Sequence, residues 1–149
     1  MKIADFGFAT YKKIDKLRSY RGTKTYMPPE IKEYKTYDGL KADMFSVGVI
    51  LFIIVQGIFP FSEAKPDEYF YKLLIDGELD TYWEKTGGQN LSPEFKDLIT
   101  KMFSYDPAKR PTVDELVNHP WMKKPIDIKK ARESINNALN EDKYDNITT

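Results

Sequence analysis

Residues 43–57 read DMFSVGVILFIIVQG, and the fold follows from what must surround them. Between positions 47 and 55 only Gly48 is not apolar, and the run has no amphipathic alternation, so a helix built from it is apolar on every side. Such a helix must be buried all round. A membrane span needs roughly 18 apolar residues. This run is far shorter, with Asp43 at its head and Pro60 just past its end. The expected fold class is therefore mainly α, with helices packed around one central buried helix. Each buried Val, Leu, Ile or Phe side chain contributes roughly 1.5–3 kcal/mol, so this element alone can supply much of a typical net stability of about 5–15 kcal/mol.

At 149 residues and 41% hydrophobic, the chain fits one domain or one lobe of a larger one. Lys plus Arg and Asp plus Glu stand at 23 each, so no bulk charge draws it to nucleic acid, a membrane surface or an acidic substrate. It has no cysteine, which excludes disulfides and thiolate metal sites and suits a reducing interior. With no apolar leader, a cytoplasmic or nuclear location is expected.

The chain opens on a short strand-like start, residues 1–4, that runs into Asp5-Phe6-Gly7. This places a carboxylate at a strand end, an apolar side chain able to pack inward, and a glycine permitting a sharp turn. Residues 11–26 have neither helical nor strand period. They carry Lys12, Lys13, Lys16, Arg18, Arg21 and Lys24 against Asp15 alone, a local surplus of five positive charges. A solvated loop and a loop ordered by phosphate both fit such a run, and a nucleic-acid arm fits less well because the patch is short. Ser19 sits among these bases, where a phosphate would add about −1.5 to −2 charges for them to pair. Thr10, Thr23, Thr25, Tyr20 and Tyr26 compete with it. Gly22 to Glu30, GTKTYMPPE, is a glycine turn followed by a helix start with proline in its first turn.

Asp-Phe-Gly, Gly-Thr, Tyr-Met-Pro-Pro-Glu, the Asp43-x-x-Ser46-x-Gly48 pattern and the distal Arg110 occur in the order seen in eukaryotic protein kinases. The chain resembles the C-terminal lobe of a protein kinase domain over residues 1–124, with residues 125–149 a polar extension holding one possible helix and a tail. The closing His119-Pro120-Trp121 is similar to that of calcium/calmodulin-dependent and related serine/threonine kinases.

The resemblance implies roles residue by residue. Asp5 is similar to the aspartate that holds Mg²⁺ against the ATP phosphates, so ATP and Mg²⁺ are the implied cofactors. Gly7 is its turn glycine. Ser19 is similar to the activating phosphosite, which implies an upstream kinase as a partner. Thr23 matches the residue that contacts the catalytic base in serine/threonine kinases, which favours Ser/Thr in protein or peptide substrates. Tyr26 and Met27 fall where the family seats the substrate residue after the phosphoacceptor. Pro28 replaces the usual alanine before Pro29 and Glu30. Glu30 and Arg110 resemble the family's buried bidentate pair. Asp43 resembles the aspartate that holds the catalytic loop's backbone, a role compatible with a plain carboxylate at a helix N-terminus.

Downstream, residues 56–64 read as a loop and 66–76 as an amphipathic helix with Tyr69, Phe70, Leu73 and Leu74 as core or groove wall. Residues 77–90 read as irregular, with Tyr82 and Trp83 packing the segment down. Ser92 and Pro93 open a helix running to about Tyr105 that buries Phe95, Leu98, Ile99, Met102 and Phe103. Thr112 and Glu115 form a capping box. His119 lacks a recognisable catalytic companion and is read as structural.

The family's glycine-rich loop, strand lysine and His-Arg-Asp loop all precede Asp-Phe-Gly and are not in this sequence. The chain alone is expected to transfer no phosphate. The same gap strips a face from the central helix, which puts solo folding in question. The leading reading is one lobe of an ATP- and Mg²⁺-dependent serine/threonine kinase. The alternative is a non-catalytic kinase-like lobe that binds peptides or partner kinases through the groove near Met27 and the helix from Pro66.

Overall fold

The central helix begins at Asp38, five residues before Asp43, because Asp38 caps it: its carboxylate accepts the backbone N–H groups of Leu40 at 2.8 Å and Lys41 at 3.3 Å. The structure is a computed structural model and describes residues 6–7, 9–10, 17–20, 22–33, 35–129, 132–133 and 136–137. Among them the named α-helices are α1 (Pro29–Lys32), α2 (Gly39–Gln56), α3 (Tyr69–Asp76), α4 (Leu79–Lys85), α5 (Pro93–Met102) and α6 (Val113–Asn118), with 3-10 turns at Lys24–Tyr26 and Pro107–Lys109; residues 128–129, 132–133 and 136–137 of the C-terminal extension are also helical. The extended pairing is one antiparallel bridge, Leu17 with Tyr37. The molecule is mainly α, as expected. The strand-like start, residues 1–4, and the tail, residues 140–149, lie outside the described residues.

α2 is the central helix, 18 residues closed by Gly57 in the left-handed conformation at φ 71°, with its N–H on the Ile53 carbonyl. One face is sealed: Phe45, Val49 and Phe52 are completely buried. The opposite face is open. Leu40, Val47, Ile50, Ile54 and Val55 are 56, 45, 47, 67 and 39% exposed. All-round burial is thus corrected to burial of one side, since the described elements wrap only that side. Phe6 is likewise corrected: it is exposed, and nothing in the described residues covers it. By length and composition α2 could cross a membrane. Here its sealed face packs into a core of rings and its open face carries Asp43.

That core is aromatic. Phe61 meets Tyr71 at 5.0 Å and Phe103 at 5.1 Å between ring centroids, and Phe45 meets Phe103 at 5.5 Å, in tilted and edge-to-face geometries. The buried hydroxyls are satisfied: Tyr71 donates to the Phe103 carbonyl at 3.1 Å and Tyr82 to that of Pro60 at 3.3 Å. Burial pushes both phenols above their usual range.

Two further readings change. α3 starts at Tyr69, three residues after Pro66, because Glu68 caps it through the Tyr71 N–H at 2.7 Å, and Tyr71 is buried while Tyr69 is exposed. Residues 77–90 are not irregular: α4 occupies half of them and turns Tyr82 and Trp83 inward. Gly77 and the Gly87-Gly88 pair bracket this one short helix. The five expected residues are buried under the Ser92 cap, but α5 ends at Met102 rather than near Tyr105: Phe95, Leu98, Ile99 and Met102 lie on it and Phe103 is its C-cap. The Thr112–Glu115 capping box is present on α6. His119 is buried, with Nε2 at 2.9 Å from Asp97 Oδ2. Ile126 and Ile128 are exposed.

Candidate functional site

Glu30 is the second residue of α1, which Pro29 opens after the extended cap residue Pro28. Arg110 leaves the second 3-10 turn and lies completely within the core. Its Nη1 donates to Glu30 Oε1 at 2.6 Å and its Nη2 to Glu30 Oε2 at 2.7 Å, a bidentate fork. Two further donors are used: Nε reaches the Ser104 carbonyl at 2.9 Å and Nη1 that of Lys41 at 3.0 Å. The guanidinium sits 5.0 Å from the Phe45 ring centroid. A buried charge pair is tolerable only when its hydrogen bonds are filled in this way. It ties α1, α2 and the segment before α6 together.

Above this anchor lies a groove of about 500 Å³, lined by Ser19, Thr23, Tyr26, Met27, Asp43 and neighbours. Met27 forms its floor from beneath, 3% exposed and packed on Ile31 and Ala42. Tyr26 is half-buried, edge-on to Phe59 at 6.2 Å, and its carbonyl accepts the Ser46 hydroxyl of α2 at 2.9 Å. Thr23 is exposed and begins the first 3-10 turn, with the Tyr26 N–H on its carbonyl at 3.0 Å. Asp43 stands in the second turn of α2, not at its head, and no described group donates to its carboxylate; burial raises its pKa.

Ser19 is tied to a residue that sequence reasoning missed. Its hydroxyl lies 3.1 Å from the Tyr37 hydroxyl, which also donates to the Ser19 carbonyl at 3.1 Å. The Leu17–Tyr37 bridge and an Arg18 Nε bond to Thr36 at 3.1 Å complete the seam. No local pattern around Tyr37 signals this, because the pairing is set by tertiary approach. Gly7 sits in a turn closed by the Ala9 N–H on the Phe6 carbonyl at 3.0 Å. Asp5 lies outside the described residues. Among the described residues no group of three or more His, Cys, Asp or Glu side chains could hold a metal ion.

Comparison with known proteins identifies the family. The protein kinase domain family matches residues 1–122. The chain is 37% identical over 124 residues to an Aurora kinase of Dictyostelium discoideum, covering 83% of this chain and 30% of that protein. It is 37% identical over 127 residues to the serine/threonine-protein kinase SAPK9 of Oryza sativa subsp. japonica, covering 85% and 35% respectively. It is also 37% identical over 129 residues to CBL-interacting protein kinase 20 of the same species, covering 83% and 26%. The chain thus spans about a third or less of the length of these relatives. With its helical architecture, its motif order and a family match over most of its length, the chain belongs to the protein kinase family, and its fold is that of the C-terminal lobe.

Proposed function

We propose that this lobe is part of a serine/threonine kinase that moves the γ-phosphate of ATP to a protein hydroxyl, and that its own task is to seat the acceptor peptide. The observation that carries this is the groove floored by Met27 and Tyr26 and fastened beneath by Glu30 and Arg110. An open, half-apolar trough on rigid supports holds an extended peptide by its side chains and fixes where its hydroxyl lies. In this reading Thr23 at the rim faces the acceptor end, and Asp43 holds the backbone of the loop that brings the base. Ser19 is the proposed phosphosite: a phosphate there displaces the Tyr37 hydroxyl contact and draws on the arginines and lysines that flank it in sequence.

Bound ATP and Mg²⁺ would supply the phosphoryl group and neutralise its charge. Asp5 is the single carboxylate that the resemblance assigns to the metal, and the described residues do not by themselves hold a nucleotide–metal complex. The sequence has no His-Arg-Asp base, so the chain alone is proposed to be inactive.

A chimera that joins the N-terminal portion of the rice kinase SAPK9 to this chain tests the reading. The folded chimera is expected to phosphorylate serine and threonine peptides, to lose this with Asp5→Ala, and to outperform the chain alone, whose incorporation matches its own Asp5→Ala control. A chimera that melts cooperatively yet transfers nothing, or an isolated chain that transfers well above its control, would contradict it.

A further inference from the structure

Beside the groove, three lysines surround one carboxylate. Glu63, in the loop after α2, has Oε1 at 3.6 Å from Lys24 Nζ and Oε2 at 3.6 Å from Lys32 Nζ and 2.5 Å from Lys65 Nζ. The lysine side chains are exposed at Lys24 and Lys65, but that of Lys32 is only 8% exposed. Its ammonium is buried with no hydrogen-bond partner, and 3.6 Å to Glu63 is beyond hydrogen-bonding reach. Burial lowers the Lys32 pKa, the mark of a cation that its surroundings leave underpaired. Asp67 also reaches Lys65 electrostatically, so three cations stand against two anions.

The position of this surplus gives it meaning. Lys24 belongs to the 3-10 turn between Thr23 and Tyr26, two residues that line the groove, and Lys32 ends α1, the helix that carries Glu30. Lys24 thus adjoins the groove through its turn, and Lys65 is joined to it through Glu63, so a peptide seated at Tyr26 has both ammonium groups nearby. Buried positive charge beneath two exposed ammonium groups favours an anion there more than surface lysines alone do, because the field of a desolvated charge is poorly screened.

We propose that Lys24, Lys32 and Lys65 form an anion-accepting edge of the substrate groove, which selects peptides carrying an anionic side chain, carboxylate or phosphate, shortly after the residue seated on Tyr26 and Met27. This rests on the peptide-seating reading above. Lys24 and Lys65 make the contact, Lys32 supplies field from below, and Glu63 is the internal competitor that the ligand displaces.

The test is fluorescence anisotropy of the full 149-residue chain with three labelled peptides, identical except for glutamine, glutamate or phosphoserine at the two positions following an apolar residue. The glutamate peptide is expected to bind about three- to tenfold tighter than the glutamine peptide, as two partly exposed ion pairs allow. That gap should close near ~0.5 M salt. Whether phosphoserine binds more or less tightly than glutamate tells which source the edge suits. Lys24→Gln with Lys65→Gln should abolish the gap, whereas Glu63→Gln should widen it, a gain that a purely structural carboxylate would not produce. Equal binding of the glutamate and glutamine peptides, or a gap that persists in the double variant, overturns the anionic edge and leaves the groove standing. Failure of all three peptides to bind overturns the groove reading as well.

Discussion

Gly48 faces Met102 across a gap that no side chain fits: a β-carbon on the glycine would lie 2.9 Å from Met102 Cβ and 3.2 Å from the Phe103 ring. Two effects compete on replacement by alanine. Helix propensity favours alanine by about 1 kcal/mol, whereas forcing a methyl into a packed interior costs about 1–3 kcal/mol. The nearest atom is a β-carbon on α5 rather than the end of a flexible side chain, so the packing cost wins. Gly48→Ala is expected to destabilise the lobe by about 1–2 kcal/mol in denaturant melts, and a stabilised variant would refute the close approach.

Ser46 is the stitch between α2 and the groove. Its hydroxyl lies 2.9 Å from the Tyr26 carbonyl and 3.3 Å from that of Ala42. Ser46→Ala should lower stability by about 1 kcal/mol, the usual net worth of such a bond. Because the bond holds the groove wall, peptide affinity should fall with it, and calorimetric titration of a serine peptide reads that loss directly.

The sequence carried the parts whose signals are local. The Ser92 cap, the Thr112–Glu115 capping box and the 3.6-residue spacing of Phe95, Leu98, Ile99 and Met102 each specify their own structure within a few residues. Glu30 and Arg110 could be paired only through motif order, since 80 residues separate them. What stayed hidden was tertiary. Nothing near Tyr37 announces a contact with Ser19, and nothing near Asp97 announces His119. The apolar run at 47–55 signalled burial without saying on how many sides. Asp38 caps α2 from outside the apolar run, and α4 is too short for its period to stand out in the sequence.

Asp97 gives the lobe a pH response. Burial would push its pKa up, but hydrogen bonds from Lys101 and His119 outweigh this and hold it below the usual carboxylate range. A carboxylate with a depressed folded pKa adds stability above its unfolded value, about 3.9, and loses it as pH falls through the folded one. Half-exposed and partly screened, it is worth about 0.5–1 kcal/mol. Asp97→Asn should therefore cost that much in thermal melts at pH 7, with the difference shrinking below about pH 4. A gap independent of pH would contradict the ion pairing.

Leu40, Asp43, Val47, Ile50 and Ile54 follow one another at three- and four-residue steps, so the open side of α2 is a single stripe with a carboxylate in it. Five half-exposed apolar side chains, counting Val55, leave about 4–7 kcal/mol of burial ungained, comparable to a whole domain's net stability. Val47→Gln with Ile54→Gln should leave the melting of the isolated chain within about 1 kcal/mol of native and reduce its binding of a hydrophobic dye. In the SAPK9 chimera the same pair should destabilise by more than about 2 kcal/mol, because there the stripe is covered. Equal effects in both proteins would mean that the stripe faces water in each.

One buried ion pair pins the groove to the α2 core, and a double-mutant cycle on Glu30 and Arg110 measures that pin. Arg110→Met and Glu30→Leu should each cost about 3–5 kcal/mol, since each leaves the partner's charge buried alone. Together they should cost much less than their sum, with a coupling of about 2–3 kcal/mol or more from urea melts. Additive single effects, with a coupling below about 0.5 kcal/mol, would mean that the two side chains do not meet in the folded protein.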